Sequence, residues 1–294
     1  MIIATDIGGS KIKTVLLNKD LDILDEVTIK TNASKGKKEV INNLIKSIKI
    51  IKDNYKTIKD NSETKRNIKI KSIGISVPGI IKDGKIIFGG KTLHFLKNTD
   101  LKKIIEKEFK ITTKLINDAD AFTLAESILG IGQDYKKICG LIWGSGIGSS
   151  LIIKTEKDKP IIISGSEIGH IKLTTKESIE DIAGGLSVEK KYFKLTKTNK
   201  TLKEIYNQKD KLSKQLIKEM IKGMVQTIII SIQAYNPEII LIGGGVTKIP
   251  LIKELKNEVR KNLEEEYAKK TIIKKYSIST DAGIFGAGII ALQK

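Results

Sequence analysis

Cysteine is almost missing from this chain: among 294 residues, only Cys139 carries a thiol. A single thiol excludes an internal disulfide framework and any zinc site built from several cysteines. It also makes a reducing, cytoplasmic setting the default. Long apolar runs are missing as well. No 18-residue apolar run occurs although 40% of the chain is hydrophobic, so the composition reads as a soluble globular protein with no membrane partner. Arginine is nearly absent, with Arg66 and Arg260 the only two, so the net charge of +19 is almost wholly lysine. Readers of nucleic-acid sequence favour the planar guanidinium fork, and an aromatic content of 5% leaves few stacking platforms. The lysines are scattered, often at helical spacing beside acids, as in Asp100-Leu101-Lys102-Lys103-Ile104-Ile105-Glu106-Lys107-Glu108. They read as solvated faces, not as a nucleic-acid surface, while the charge stays compatible with a small polyanion. Neither Gly-x₄-Gly-Lys-Ser/Thr nor Gly-x-Gly-x-x-Gly is present, so P-loop and Rossmann readings lack their signatures. A strand that begins at residue 2 is expected to leave no room for a signal peptide or an N-terminal DNA-binding module.

What the chain does have is a set of glycine-marked turns between strands. Met1-Ile2-Ile3-Ala4-Thr5 is an apolar run of strand type, and Ile12-Lys13-Thr14-Val15-Leu16-Leu17 is another. Between them stands Asp6-Ile7-Gly8-Gly9-Ser10-Lys11. Such a tip lets backbone N–H groups approach a phosphate, because glycine tolerates unusual φ/ψ and adds no Cβ. Asp6, at the strand end, is placed to hold Mg²⁺ directly or through water. An ordinary Gly-Gly hairpin turn fits the same residues.

A second arrangement of the same kind starts at Lys137. Ile138-Cys139-Gly140-Leu141-Ile142-Trp143 leads into Gly144-Ser145-Gly146-Ile147-Gly148 and returns as Leu151-Ile152-Ile153. In the first half a third strand is expected near Asp22–Lys30, a helix near Lys37–Lys52, a polar stretch over Asp53–Asn67 and a strand over Ile70–Ser76. In the second half a long helix, Lys211–Tyr235, leads to a strand over Glu238–Ile242. Strands alternating with helices, with a hairpin heading each half, describe an α/β protein with two related halves. The expected domains are residues 1–117 and 118–280, with a final helix in 281–294 returning to the first.

Asp118 lies between Leu115-Ile116-Asn117, a strand ending, and Ala119-Asp120-Ala121-Phe122-Thr123-Leu124-Ala125-Glu126, a good helix. It suits a general base, and it equally suits a helix N-cap. Asp120 reads as a first-turn acid that favours the helix dipole. Glu167 and His170, three apart around a glycine, are either a plain turn or a pair that recognises vicinal hydroxyls. His94 reads as a surface or loop histidine, Trp143 as a packed sheet residue and Cys139 as inert.

Asp6–Lys11, Val77-Pro78-Gly79, Asn117-Asp118-Ala119, Gly144–Gly148, Ser166-Glu167-Ile168-Gly169-His170-Ile171 and Ile242-Gly243-Gly244-Gly245-Val246 occur in that order. This order resembles the ROK family (repressors, open reading frames and sugar kinases), over residues 2 to about 292. The resemblance implies the actin/hexokinase/Hsp70 fold: two ribonuclease H-like α/β domains flanking a cleft. It implies that Asp6, Gly8, Gly9, Ser10 and Lys11 form the first phosphate hairpin, and Gly144, Ser145, Gly146 and Gly148 the second. Gly243, Gly244 and Gly245 would form the adenosine-side turn. Asp118 would be the catalytic base and Asn117 a sugar contact. Glu167 and His170 match the family's Glu-x-Gly-His sugar contacts, and Glu180, implied as a further substrate contact, matches the glutamate after its cysteine cluster.

Two departures stand out. Family members usually carry Cys-x-Cys-Gly-x-x-Gly-Cys after the His and bind zinc there. Here Lys172-Leu173-Thr174-Thr175-Lys176-Glu177-Ser178 has no cysteine, so no zinc is expected and packing and hydrogen bonds must hold the loop. The family's Asn-Leu pair before a tryptophan is replaced by Thr92-Leu93 and Leu96. The implied activity is ATP-dependent phosphorylation of a glucose-like hexose, with ATP and Mg²⁺ as cofactors and a small-molecule sugar and nucleotide as partners. A homodimer is compatible with this reading. The alternatives are a polyphosphate-dependent glucokinase, whose relatives also lack the zinc cluster, an N-acylhexosamine kinase, and a non-catalytic sugar-sensing regulator.

Overall fold

A computed structural model describes residues 1–60, 69–90, 92–156, 159–164, 167–278 and 281–293. The strands in chain order are β1 (Ile2–Ile7), β2 (Lys11–Leu17), β3 (Ile23–Lys30), β4 (Ser72–Val77), β5 (Ile80–Lys82), β6 (Lys85–Phe88), β7 (Thr112–Asn117), β8 (Lys137–Trp143), β9 (Ile147–Lys154), β10 (Pro160–Ile163), β11 (Ile239–Gly243) and β12 (Ile272–Lys275). The helices are α1 (Lys37–Asp60), α2 (Leu101–Phe109), α3 (Asp118–Ile128), α4 (Ile179–Ala183), α5 (Gly185–Thr196), α6 (Leu202–Gln208), α7 (Lys211–Tyr235), α8 (Ile252–Lys261), α9 (Glu265–Lys270) and α10 (Ala282–Leu292). They divide into two compact units, one of Met1–Ala125 with Thr280–Lys294 and one of Glu126–Ser279.

Each unit holds a five-stranded sheet, ordered β3-β2-β1-β4-β7 in the first and β10-β9-β8-β11-β12 in the second. In both, the first three strands pair antiparallel and the last two join in parallel. The sequence dictates this split. Antiparallel neighbours can be joined by short turns, which carry glycine in β1–β2 and β8–β9, whereas parallel strands need a crossover, and β4, β7, β11 and β12 each come after a helix. β4 is buried at all six positions, as a central parallel strand covered on both faces should be.

In the first unit, α1 buries Val40, Leu44, Ile48 and Ile51 against the sheet, a spacing that keeps one helical face apolar. The helix runs past the expected Lys52 to Asp60; the rest of the expected polar stretch, 61–67, lies outside the described residues. The final helix, α10, packs on β1, β4 and β7 of this sheet. Its small residues permit a close approach: a Cβ on Gly74 would lie 1.9 Å from the Ala287 carbonyl oxygen, and one on Gly286 would lie 2.0 Å from that of Ala121.

In the second unit α7 supplies much of the core, with Leu216, Met220, Met224, Ile228 and Ile232 among its buried positions. Its start is fixed by Asp210, whose side chain accepts the Ser213 N–H at 2.8 Å. Its end is fixed by Asn236 in the left-handed region at φ 44°, a residue type that tolerates it. Among the described residues no helix is long and apolar enough to cross a membrane.

The α10 contact is backbone on backbone, so an added methyl cannot be absorbed by a side-chain rotation. Gly74→Ala is expected to lower the melting temperature by several degrees, in line with about 1–3 kcal/mol for overpacking. A melting curve superimposable on that of the parent would contradict this packing.

Candidate functional site

The first glycine turn is a tight hairpin: Ile7 pairs with Ile12 across it, and the Gly8 N–H donates to the Lys11 carbonyl at 2.9 Å. Thr31 braces the tip from outside, its hydroxyl donating to the Gly8 carbonyl at 2.6 Å. Neither Gly8 nor Gly9 has a positive φ, so conformational freedom, expected from the sequence, is not the reason for these glycines. Space is. A Cβ on Gly9 would come 2.3 Å from Cγ2 of Thr92, so the threonine standing at the family's Asn position covers the hairpin tip. Ser10 and Lys11 are exposed.

Asp6, next to last in β1, stands beside three groups that no local pattern announces. Ser76, its register partner on β4, donates its hydroxyl to Oδ1 at 2.7 Å. Gly283, in the first turn of α10, leaves no room for a Cβ, which would lie 2.9 Å from Oδ1. Lys13, opposite Asp6 on β2, pairs with Glu26 and Asp281 at 3.0 Å each. Close packing strips water from the Asp6 carboxylate and raises its pKa above the ordinary 3.8; the Ser76 hydrogen bond and the Lys11 charge oppose the rise, and the Asp281 charge adds to it.

Asn117 and Asp118 end β7 and open α3, both half-buried. The capping role expected as the alternative for Asp118 is shared by its neighbour. Asn117 Oδ1 accepts the N–H groups of Ala119 at 2.8 Å and Asp120 at 3.1 Å, and its Nδ2 donates to the Gly79 carbonyl at 2.8 Å. Asp118 Oδ1 accepts the adjacent Ala119 N–H at 3.0 Å. Asp120, expected as a dipole-favouring acid, is buried in the first turn.

The second unit brings Glu180 and the turn of Glu167 and His170 against Ile147 of the second hairpin. Gly144 N–H closes the second hairpin onto the Gly146 carbonyl at 2.9 Å, and Gly148 pairs with Ile142. Ser145 is exposed at the tip. Gly243 pairs with Ile142 on the other side of β8. Gly244 follows at φ 85°, where a Cβ would meet the Trp143 carbonyl oxygen at 2.4 Å, so only glycine fits this turn on both counts. Gly245 then opens a short 3-10 turn. Glu180 is buried and its Oε2 accepts the Ile147 N–H at 2.8 Å. Glu167 precedes and His170 ends a 3-10 turn, with His170 Nε2 at 3.4 Å from Glu167 Oε2. Ser166, which opens this segment, lies outside the described residues.

Hydrogen bonds close the cysteine-free loop after His170. Ile179 N–H donates to the Ile171 carbonyl at 2.9 Å and Leu173 N–H to that of Glu177 at 3.1 Å. Thr174 Oγ1 accepts the Glu177 N–H at 2.9 Å. Glu177 pairs with Lys191 at 3.0 Å, and Ser178 with Asp181 forms a capping box on α4. His94 is exposed. Trp143 is buried, with its indole N–H on the Ala183 carbonyl at 2.9 Å. Burial pushes the Cys139 thiol up to about 12, which keeps it unreactive.

The raised pKa of Asp6 has a sign that can be measured. Folding favours its protonated form, so the residue costs no stability below its ordinary value and an increasing amount as pH rises through the raised one. Asp6→Asn should therefore melt above the parent near pH 8, with the gap shrinking as pH falls toward about 4. A gap that stays constant with pH would contradict this.

The sequence signature of the ROK family matches residues 2–294. Among curated relatives, a beta-glucoside kinase of Listeria monocytogenes is 30% identical over 246 residues, covering 78% of this chain and 81% of that protein. A glucokinase of Thermotoga maritima is 24% identical over 326 residues, covering 100% and 98%. Among solved structures, a ROK family glucokinase from Streptomyces griseus, in complex with glucose and AMPPNP, superimposes with a TM-score of 0.78 at 18% identity, over 100% of this chain and 99% of that one. This last likeness is one of fold: an α/β protein of two units. With the signature spanning nearly every residue, the chain belongs to the ROK family.

Proposed function

We propose that this protein is a sugar kinase that transfers the γ-phosphoryl group of ATP to a hydroxyl of a glucose-like hexose, with Asp118 as the general base. The observation that carries the reading is the Asn117–Asp118 pair at the start of α3. Asn117 caps the helix through two backbone N–H groups, and Asp118 stands next to it as the first residue of α3. A half-buried carboxylate at a strand-to-helix junction can take a hydroxyl proton late in phosphoryl transfer. The kinases among the relatives support the same reading.

In this account the hairpins of Gly8–Lys11 and Gly144–Gly148 cradle the phosphates through backbone N–H groups, and Gly243–Gly245 forms the adenosine-side turn. Asn117, whose amide caps the helix with its oxygen and spends one N–H on Gly79, has a second N–H to offer a hydroxyl. Glu167 and His170 hold other hydroxyls, and Glu180 lies buried behind their turn.

Among the described residues no group of three or more His, Cys, Asp or Glu side chains could hold a metal ion by itself. The Asp6 carboxylate beside Ser76 suits Mg²⁺, which binds through one or two carboxylates plus substrate phosphates and retains water. Asp6 would be its protein anchor, and the ion would neutralise phosphate charge.

Asp118→Asn is expected to lower kcat on the order of 10²–10⁴-fold while sugar affinity survives. Near-parent turnover would make Asp118 a structural residue. Glu167→Gln and His170→Ala are expected to weaken sugar binding by ~1–3 kcal/mol each, with nucleotide affinity retained. Calorimetric titrations of both ligands check this, and unchanged sugar affinity in both variants would move the sugar site elsewhere.

A further inference from the structure

The peptide between Gly146 and Ile147 is held on both sides. Its carbonyl accepts the Gly144 N–H at 2.9 Å, and its N–H donates to Glu180 Oε2 at 2.8 Å. The carboxylate sits so close beneath the hairpin that a Cβ on Gly146 would meet Oε2 at 2.3 Å. Glu180 is itself 7% exposed. A buried, charge-assisted bond to a backbone N–H is among the stronger single contacts available to a loop.

Ile147 also faces the turn that carries Glu167 and His170. A Cβ on Gly169, the residue between them in space, would come 2.6 Å from the Ile147 carbonyl oxygen. The helix bearing Glu180 is tied at both ends to the same two segments. At its start, Ile179 N–H donates to the Ile171 carbonyl at 2.9 Å, one residue beyond His170. At its end, Trp143 Nε1 donates to the Ala183 carbonyl at 2.9 Å, and Gly185 N–H donates to that of Gly144 at 2.9 Å. Hydrogen bonds thus tie α4 to both the hairpin and the Glu167–His170 turn, and the packing of Gly169 on Ile147 joins the turn to the hairpin.

We infer that Glu180 is a positioning residue for the second phosphate hairpin, and that through Ile147 it couples nucleotide affinity to sugar occupancy of the Glu167–His170 turn. The resemblance alone implies only a sugar contact for this glutamate. The inference rests on the proposed function, which gives the hairpin to phosphate and the turn to sugar. A carboxylate that fixes an N–H in the hairpin acts before any sugar arrives, so its loss must show in nucleotide binding to the sugar-free protein. A group that only touches sugar leaves that quantity alone.

The test is equilibrium binding of ATP to the full chain, without sugar and with saturating glucose, for the parent, Glu180→Ala, Glu180→Asp and Glu180→Gln. Glu180→Ala is expected to lose about tenfold in sugar-free ATP affinity and to bind ATP equally with and without glucose. Glu180→Asp keeps the charge but not the reach, so it should lose affinity in the same direction; it carries the test should the alanine variant fail to fold. Glu180→Gln still presents an oxygen to the Ile147 N–H and should retain most of the parent's affinity. Parent-like sugar-free ATP binding by both Glu180→Ala and Glu180→Asp overturns the inference and leaves Glu180 a sugar contact. A parent protein that binds no ATP overturns the phosphate assignment of the hairpins, and this inference falls with it.

Discussion

Bare backbone at a few glycines sets how closely the turns of each unit can approach what lies beneath them. Gly9 lies under Thr92, Gly146 over the Glu180 carboxylate, Gly169 against the Ile147 carbonyl and Gly244 against the backbone of Trp143, each with less than 3 Å available to a Cβ. Only Gly244 of these four needs its left-handed conformation. The others are glycine because a methyl group would push the turn away from its support. Backbone donors held close to such supports can meet a phosphate with little reorganisation.

The two sheets repeat one strand order, yet their hairpins are stabilised differently. The first is braced by Thr31 and Thr92 and carries a desolvated carboxylate, Asp6, at its base. Keeping that carboxylate costs stability at neutral pH, the kind of cost that a ligand-directed group commonly imposes. The second hairpin has no acid within its strands. Its carboxylate, Glu180, comes from a helix that follows the cysteine-free loop. The hydrogen bonds and the Glu177–Lys191 pair that close this loop also support the helix that holds the hairpin.

Much of this was legible in the sequence because it is local. The hairpins follow from glycine between apolar strands, and α7 matches the expected Lys211–Tyr235 because its apolar periodicity is unbroken from an Asp cap to an Asn stop. The continuation of α1 past Lys52 was missed because six of residues 53–60 are polar, although Tyr55 and Ile58 carry on the spacing of Leu44, Ile48 and Ile51. The choice of cap at α3 was hidden for another reason: Asn117 and Asp118 are both good caps, and only the point at which β7 ends decides between them. The pairings of Asp6 with Ser76, Lys13 with Asp281 and Ile147 with Glu180 join residues far apart in the chain. No spacing rule exposes contacts of that kind.

The central claim, that this chain moves a phosphoryl group from a nucleotide to a sugar hydroxyl, is tested most directly by following phosphorus. Phosphorus NMR of the parent protein with Mg²⁺, ATP and, in turn, glucose, other hexoses and N-acetylhexosamines reports every product, and a parallel series replaces ATP with polyphosphate. The account predicts a sugar phosphomonoester with ATP and a glucose-like hexose, formed together with ADP. ADP and free phosphate without any sugar ester, ester formation from polyphosphate alone, or no turnover with any acceptor would contradict it.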